Sequence, residues 1–184
     1  MKIKTSLSVV IRILLWVLLL VGGAISGILI DIDDPVWHSY VFHIISFILG
    51  YIVLIYAFRS AANGGRELKK GRVGDIPRLE TNRLVTTGIY SCMRHPMLFG
   101  LTLLPLGTAL VVGSPTFISI IAPLEMIFII FMVIVFEEWE VRKKFKEEYE
   151  EYASKVPMVS FKKECLEKLF GKVPKKRKQD EILH

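Results

Sequence analysis

Four apolar runs order this chain, at residues 7–30, 36–58, 97–112 and 116–136. A helix needs about 20 residues to cross the hydrocarbon core of a bilayer, so the runs predict about four spans, the third of them short. The breaks between them are polar and turn-forming. Asp31, Asp33, Asp34 and Pro35 separate the first two runs, and Gly113-Ser114-Pro115 makes a tight turn between the last two. Residues 59–93 are polar and basic, punctuated by Asn63-Gly64-Gly65, Gly71, Gly74 and Pro77, and predict a cytoplasmic loop. A loop of that length without clear periodicity is more often functional than idle. After Phe136 the helical period persists while the surroundings turn polar. Glu138, Arg142, Phe145, Tyr149 and Tyr152 recur at spacings of four, three, four and three, which predicts one face of a helix over 137–155 that leaves the bilayer. Pro157 ends that helix. The fold class is therefore all-α, an integral membrane protein with a single domain over 1–171 and a basic flexible tail over 172–184.

Composition agrees with this division and adds an orientation. The 184 residues are 52% apolar yet carry a net charge of +6, which suits neither a soluble domain nor a disordered chain. Three of the Lys and Arg residues precede or open the first run, eight lie between the second and third, and thirteen follow the fourth. The other two breaks have none, so the positive-inside rule places both termini and the middle loop in the cytoplasm. The first run is longer than a signal-peptide core and no cleavage site follows, so it is read as a retained span. Arg12, near its start, is read as a snorkelling anchor. The basic tail has no interleaved aromatic residues, which favours membrane lipid head groups over nucleic acid.

The remaining polar features are read as structural. Cys92 and Cys165 have no framework spacing, so neither a disulfide scaffold nor a zinc site is indicated and both are taken as incidental. His38 and His43 stand five apart with no carboxylate at helical spacing, a poor metal site, and are assigned to interfacial or helix-to-helix hydrogen bonding. Gly23 and Gly27 form a small-xxx-small pair suited to close helix packing, inside the protomer or between protomers. No inverted repeat is visible, and the spans are read as lacking the internal charges of a solute pathway.

Two motifs carry candidate chemistry. Arg94-His95-Pro96 stands at the cytoplasmic entrance of the third run and Glu137-Glu138 at the cytoplasmic exit of the fourth. The turn at Ser114 is 18 residues from Pro96 and 23 from Glu137, so the two ends of the hairpin differ in height by roughly 7 Å. Proline suits the first helical turn, whose open N–H groups concentrate positive charge. With Arg94 and His95 beside them they suit a carboxylate, and the two glutamates suit an ammonium or sulfonium. A ligand bearing both signs is implied, and S-adenosylmethionine has that pattern.

Thr87-Gly88-Ile89-Tyr90, Arg94-His95-Pro96 and Gly100, then Glu137-Glu138, Val141, Phe145, Tyr149 and Tyr152, resemble the C-terminal signature of the isoprenylcysteine carboxyl methyltransferase and phospholipid methyltransferase superfamily. The likeness covers about residues 84 to 160. Leu98 stands where that family usually has tyrosine, Val141 where it has leucine, and Lys146 where a glycine follows the aromatic residue.

The resemblance implies a membrane methyltransferase that binds S-adenosylmethionine at the cytoplasmic face and releases S-adenosylhomocysteine. The acceptor would be lipophilic and enter from the bilayer: an isoprenylcysteine carboxylate, a phospholipid amine or a hydrophobic small molecule. It implies cofactor contacts for His95 and Glu137, and cofactor-site positions at Gly88, Tyr90, Pro96 and Gly100. Arg94 and Glu138 would be the catalytic neighbours, with Glu138 the proton acceptor for an amine. Two other readings compete. In one, a non-enzymatic membrane protein uses both motifs only to cap helices at the interface. In the other, the chain is an NADPH-dependent membrane reductase of related architecture, against which the short chain and missing glycine-rich nucleotide fingerprint count.

Overall fold

The computed structural model describes residues 2–74 and 81–171, with side chains described from residue 14 onward. The anchor role expected of Arg12, the loop residue Pro77 and the basic tail over 172–184 lie outside the described residues. Among the described residues six α-helices follow one another: α1 Lys2–Asp31, α2 Tyr40–Leu68, α3 Pro96–Val112, α4 Ala122–Met132, α5 Glu138–Lys155 and α6 Lys163–Phe170. Short 3-10 turns occupy Lys69–Gly71 and Gly88–Ser91, and π-helical turns at Phe117–Ile121 and Val133–Glu137 lead into and out of α4. Among the described residues, three helical stretches are long and apolar enough to cross a membrane: Leu14–Asp31, Tyr40–Gly71 and Phe117–Lys155. The helix Pro96–Val112 is apolar but shorter.

Local chemistry explains the ends of these helices. Ser39 caps α2 by accepting the Phe42 N–H at 3.4 Å. Pro96 opens α3, where its missing donor costs nothing, and Gly113 closes it in the left-handed conformation at φ 72°. A β-carbon there would also strike the His43 ring. At the same end Asp31, buried where α1 stops, accepts the Thr116 N–H at 3.0 Å and the hydroxyls of Ser114 and Thr116. The carboxylate thus caps the helical run that leads into α4.

Small residues decide how α2 and α3 meet. Gly50, Ala57 and Gly64 recur every seven residues on α2, and Gly100 and Gly107 do so on α3. A β-carbon on Gly100 would lie 2.5 Å from the Ala57 carbonyl oxygen, and one on Gly50 would lie 2.6 Å from the Val111 nitrogen. Backbone touches backbone along this seam, the close approach by which apolar helices associate where lipid offers no hydrophobic drive. Ser60 donates to the Pro96 carbonyl at 2.7 Å and ties the seam to the first turn of α3. Gly23 and Gly27 pack against Phe117 and Ser114, so that pair works inside the protomer.

Several expectations are corrected. The middle segment is not loop from residue 59, because α2 runs on to Leu68. Its continuation presents the small residues Ser60, Ala61 and Gly64 to α3 and is fastened through Ser60 to Pro96 and through Asn63 to Leu169. The helix over 137–155 is not straight: Lys146 has φ 48° and ψ −123° and breaks α5 in two. Cys92 and Cys165 are not incidental, since they are joined in a disulfide across 73 residues of sequence. Finally, an ionisable group does lie inside a span. Glu125 is buried in α4 against Gly23, with Oε2 lacking a hydrogen-bond partner.

Candidate active site

The α3–α4 hairpin brings the two motifs together. Arg94 Nη1 donates to both Glu138 oxygens, at 2.9 and 3.1 Å. His95 Nε2 lies 2.7 Å from Glu138 Oε1, and its Nδ1 lies 3.9 Å from Glu137 Oε2. Tyr149 donates its hydroxyl to Glu138 Oε1 at 2.7 Å and accepts from Arg94 at 3.3 Å. Arg142, one turn beyond Glu138, places Nε 3.4 Å from Oε2. Glu138 is therefore a hub of converging donors, which hold it as the acceptor-only carboxylate. Its neighbour Glu137 has a different environment: the side chain is 41% exposed.

The break at Lys146 makes this arrangement reachable. Tyr149 is 11 residues beyond Glu138, about 16 Å along an unbroken helix. That exceeds the reach of a tyrosine side chain, so the second half of α5 has to fold back. The ion pair of Arg142 with Glu150, eight residues on, reports the same reversal. Positive φ is where glycine is at ease and a side chain is strained, which accounts for the glycine usual at this position in the resembled family.

Beneath the motif lies a compact apolar cluster of Val85, Ile89, Tyr90, Met93, Cys165 and Leu169. Tyr90 stands in the turn Gly88–Ser91, and its carbonyl accepts the Tyr152 hydroxyl at 2.5 Å. Burial, with added repulsion from Tyr152, Glu137 and Glu67, raises the Tyr90 phenol well above its ordinary value, so it stays neutral. Gly88 starts the turn at φ 61°, and a β-carbon there would overlap the Glu67 carboxyl. Glu67 accepts from Lys70 at 2.8 Å and from Thr87 at 2.9 Å. No sequence motif points to Glu67, because it lies on α2 and reaches the turn only through the fold.

An apolar crevice between α1 and α4 opens next to the motifs, lined by Leu15, Trp16, Phe128, Met132 and Phe136, with Glu137 at its polar end. Leu98, the departure from tyrosine, is buried close by with Ile129, Val133 and Trp16. Of the expected site residues, Arg94, His95, Glu137 and Glu138 converge directly. Pro96 and Gly100 set the α3 backbone beside them, and Gly88 and Tyr90 form the adjoining turn. Arg94 Nε is buried without a hydrogen-bond partner.

This stretch, including the spans before both motifs, is matched over residues 39–148 by a family model described as phospholipid methyltransferase. The chain belongs to the phospholipid methyltransferase family. Among curated proteins it is similar to protein-S-isoprenylcysteine O-methyltransferase B of Arabidopsis thaliana, 34% identical over 122 residues. That likeness covers 66% of this chain and 58% of the plant protein, so the chain spans less than two thirds of that relative's length. No solved structure matches the chain at a significant level. In this phospholipid methyltransferase family member the match takes in the whole Arg94-to-Glu138 hub and ends just short of Tyr149, the residue that closes it.

Proposed function

We propose that the protein is an S-adenosylmethionine-dependent methyltransferase of the membrane, acting at the cytoplasmic face on a lipophilic acceptor that enters from the bilayer. The observation that carries this reading is the division of labour between the two glutamates. Glu138 is buried and bonded to Arg94, His95 and Tyr149, whereas Glu137, beside His95, presents a 41% exposed side chain at one end of an apolar crevice. The residues fit the cofactor's charges. The orphaned Arg94 Nε and the open first turn of α3 suit its carboxylate, and Glu137 suits its ammonium or sulfonium.

When bound, S-adenosylmethionine supplies an activated methyl group for in-line displacement. The chain's own contribution is alignment and exclusion of water, worth up to about 7 to 11 kcal/mol in well-oriented systems. His95 and Arg94 fix Glu138, and the other His95 nitrogen faces Glu137. An acceptor carboxylate or thiolate needs no base. An amine must lose a proton, and Glu138, held as a carboxylate by its donors, is the group assigned to receive it. Gly88, Tyr90, Pro96 and Gly100 shape the backbone around the site. Four crossings with both termini in the cytoplasm complete the reading, supported by the distribution of Lys and Arg.

The test is transfer of a radiolabelled methyl group to three acceptors in parallel: a short isoprenylcysteine, phosphatidylethanolamine vesicles and a hydrophobic thiol. Label moving into any of them, and lost in Glu137→Ala, is expected. No transfer together with tight binding of a nicotinamide cofactor would replace this reading with the reductase.

A further inference from the structure

The C-terminal segment returns across the Arg94-His95 motif and is fastened to it. The Pro157 carbonyl accepts the Arg94 N–H at 3.0 Å, and the Met158 carbonyl accepts the His95 N–H at 3.2 Å. Beyond this strap, Cys165 on α6 is bonded to Cys92, two residues before Arg94, with Cα atoms 5.6 Å apart. Asn63 of α2 then holds the far end, donating to the Leu169 and Gly171 carbonyls at 2.6 and 3.1 Å. The disulfide is thus the one covalent link between the strap and the motif among the described residues.

We propose that Cys92 and Cys165 form a reversible thiol–disulfide clasp that locks residues 156–171 over the Arg94-His95 backbone when oxidised and releases them when reduced, thereby setting how fast ligand exchanges at the site. The inference rests on the cytoplasmic placement and on the cofactor reading above. In a reducing compartment a persistent disulfide is unusual, and those that form there are mostly transient or redox-sensing. The two sulfurs are also unequal. Cys165 is 5% exposed within the apolar cluster, whereas Cys92 is only partly buried at its edge. An attacking thiolate therefore reaches Cys92 first.

The chemistry balances with a small thiol as partner. A glutathione thiolate attacks Cys92 Sγ, the bond to Cys165 breaks, and Cys165 leaves as a thiolate that takes up a proton. A second glutathione resolves the mixed disulfide, leaving two protein thiols and one glutathione disulfide. Oxidation is the reverse. Release does not unfold α6, because Leu169 and the Asn63 bonds still hold its far end. The strap between them gains freedom, and it contributes the two acceptors that hold the Arg94 and His95 amides.

The test uses the full-length protein in detergent, prepared oxidised with glutathione disulfide or reduced with dithiothreitol, with thiol titration confirming each state. Two quantities are read: amide hydrogen exchange of the peptide containing Arg94 and His95, and the dissociation rate of S-adenosylhomocysteine. Reduction is expected to speed both by at least about tenfold. Cys92→Ser and Cys165→Ser should each behave as reduced protein under either treatment. Equal amide exchange in the two confirmed states would overturn the proposal. So would a disulfide that resists millimolar glutathione, which would mark it as a permanent staple. If S-adenosylhomocysteine binds neither state while amide exchange still responds, the clasp stands and the cofactor reading falls.

Discussion

Lys146→Gly should make this protein more stable, although it removes a side chain and adds the most flexible residue. Lys146 is the positive-φ residue other than glycine among the described residues. A side chain held in that region costs about 1 to 3 kcal/mol. Against this, glycine gives back roughly 0.5 to 1 kcal/mol through the entropy of the unfolded chain. The balance is about 1 kcal/mol in favour of glycine, a rise of roughly 2 to 4 °C in Tm for a domain of this size. Lys146→Ala is the control, since it deletes the same side chain and keeps the strain. Thermal unfolding in detergent, followed by the helical circular dichroism signal at a fixed scan rate, compares the three proteins. Stabilisation by glycine and not by alanine is the expected pattern. If glycine instead destabilises, as it does inside an unbroken helix, then α5 runs straight through Lys146. Tyr149 would then stand about 16 Å from Glu138 and drop out of the hub, leaving Arg94 and His95 on that carboxylate.

Other perturbations read the packing and the hub. Gly100→Ala should destabilise by about 1 to 3 kcal/mol, because its β-carbon meets the backbone of α2 at Ala57 and Ala61. Gly22→Ala, with nothing within 4 Å, should leave the unfolding temperature unchanged or slightly raised. Glu138→Gln should cost about 3 kcal/mol, since the Arg94 guanidinium, with its side chain 12% exposed, would keep its charge beside a neutral amide. Combined with Arg94→Gln it should cost at least about 1 kcal/mol less than the sum of the two single losses, the coupling read in a double-mutant cycle, and strict additivity would show that the pair is not coupled.

The apolar runs announced the spanning helices because nothing else explains such lengths of apolar sequence. The same logic found the convergence of Arg94-His95 with Glu137-Glu138, since a hairpin of known rise per residue fixes where its ends meet. What stayed hidden depends on contacts between distant elements. The extension of α2 to Leu68 is stabilised by α3 and α6, which no local pattern in residues 59–68 records. The Cys92–Cys165 bond needs α6 to fold back by way of the strap, so spacing alone could not pair two cysteines 73 residues apart. The Lys146 break was concealed because the face through Glu138, Arg142 and Tyr149 also fits an uninterrupted helix. The departure from a usual glycine at that position was the available signal. Glu125 was legible and overlooked: an acid in the middle of an apolar run signals a functional or paired group by default.

The central claim is that the hub at the α3 and α4 ends holds S-adenosylmethionine through His95 and Glu137. Isothermal titration of the purified protein with S-adenosylhomocysteine, alongside His95→Ala and Glu137→Ala of unchanged thermal stability, tests it most directly. Saturable binding to the parent, with affinity lowered at least about tenfold in each variant, is the result the geometry predicts. Equal affinity in all three proteins would place the cofactor elsewhere and leave the motifs as helix caps.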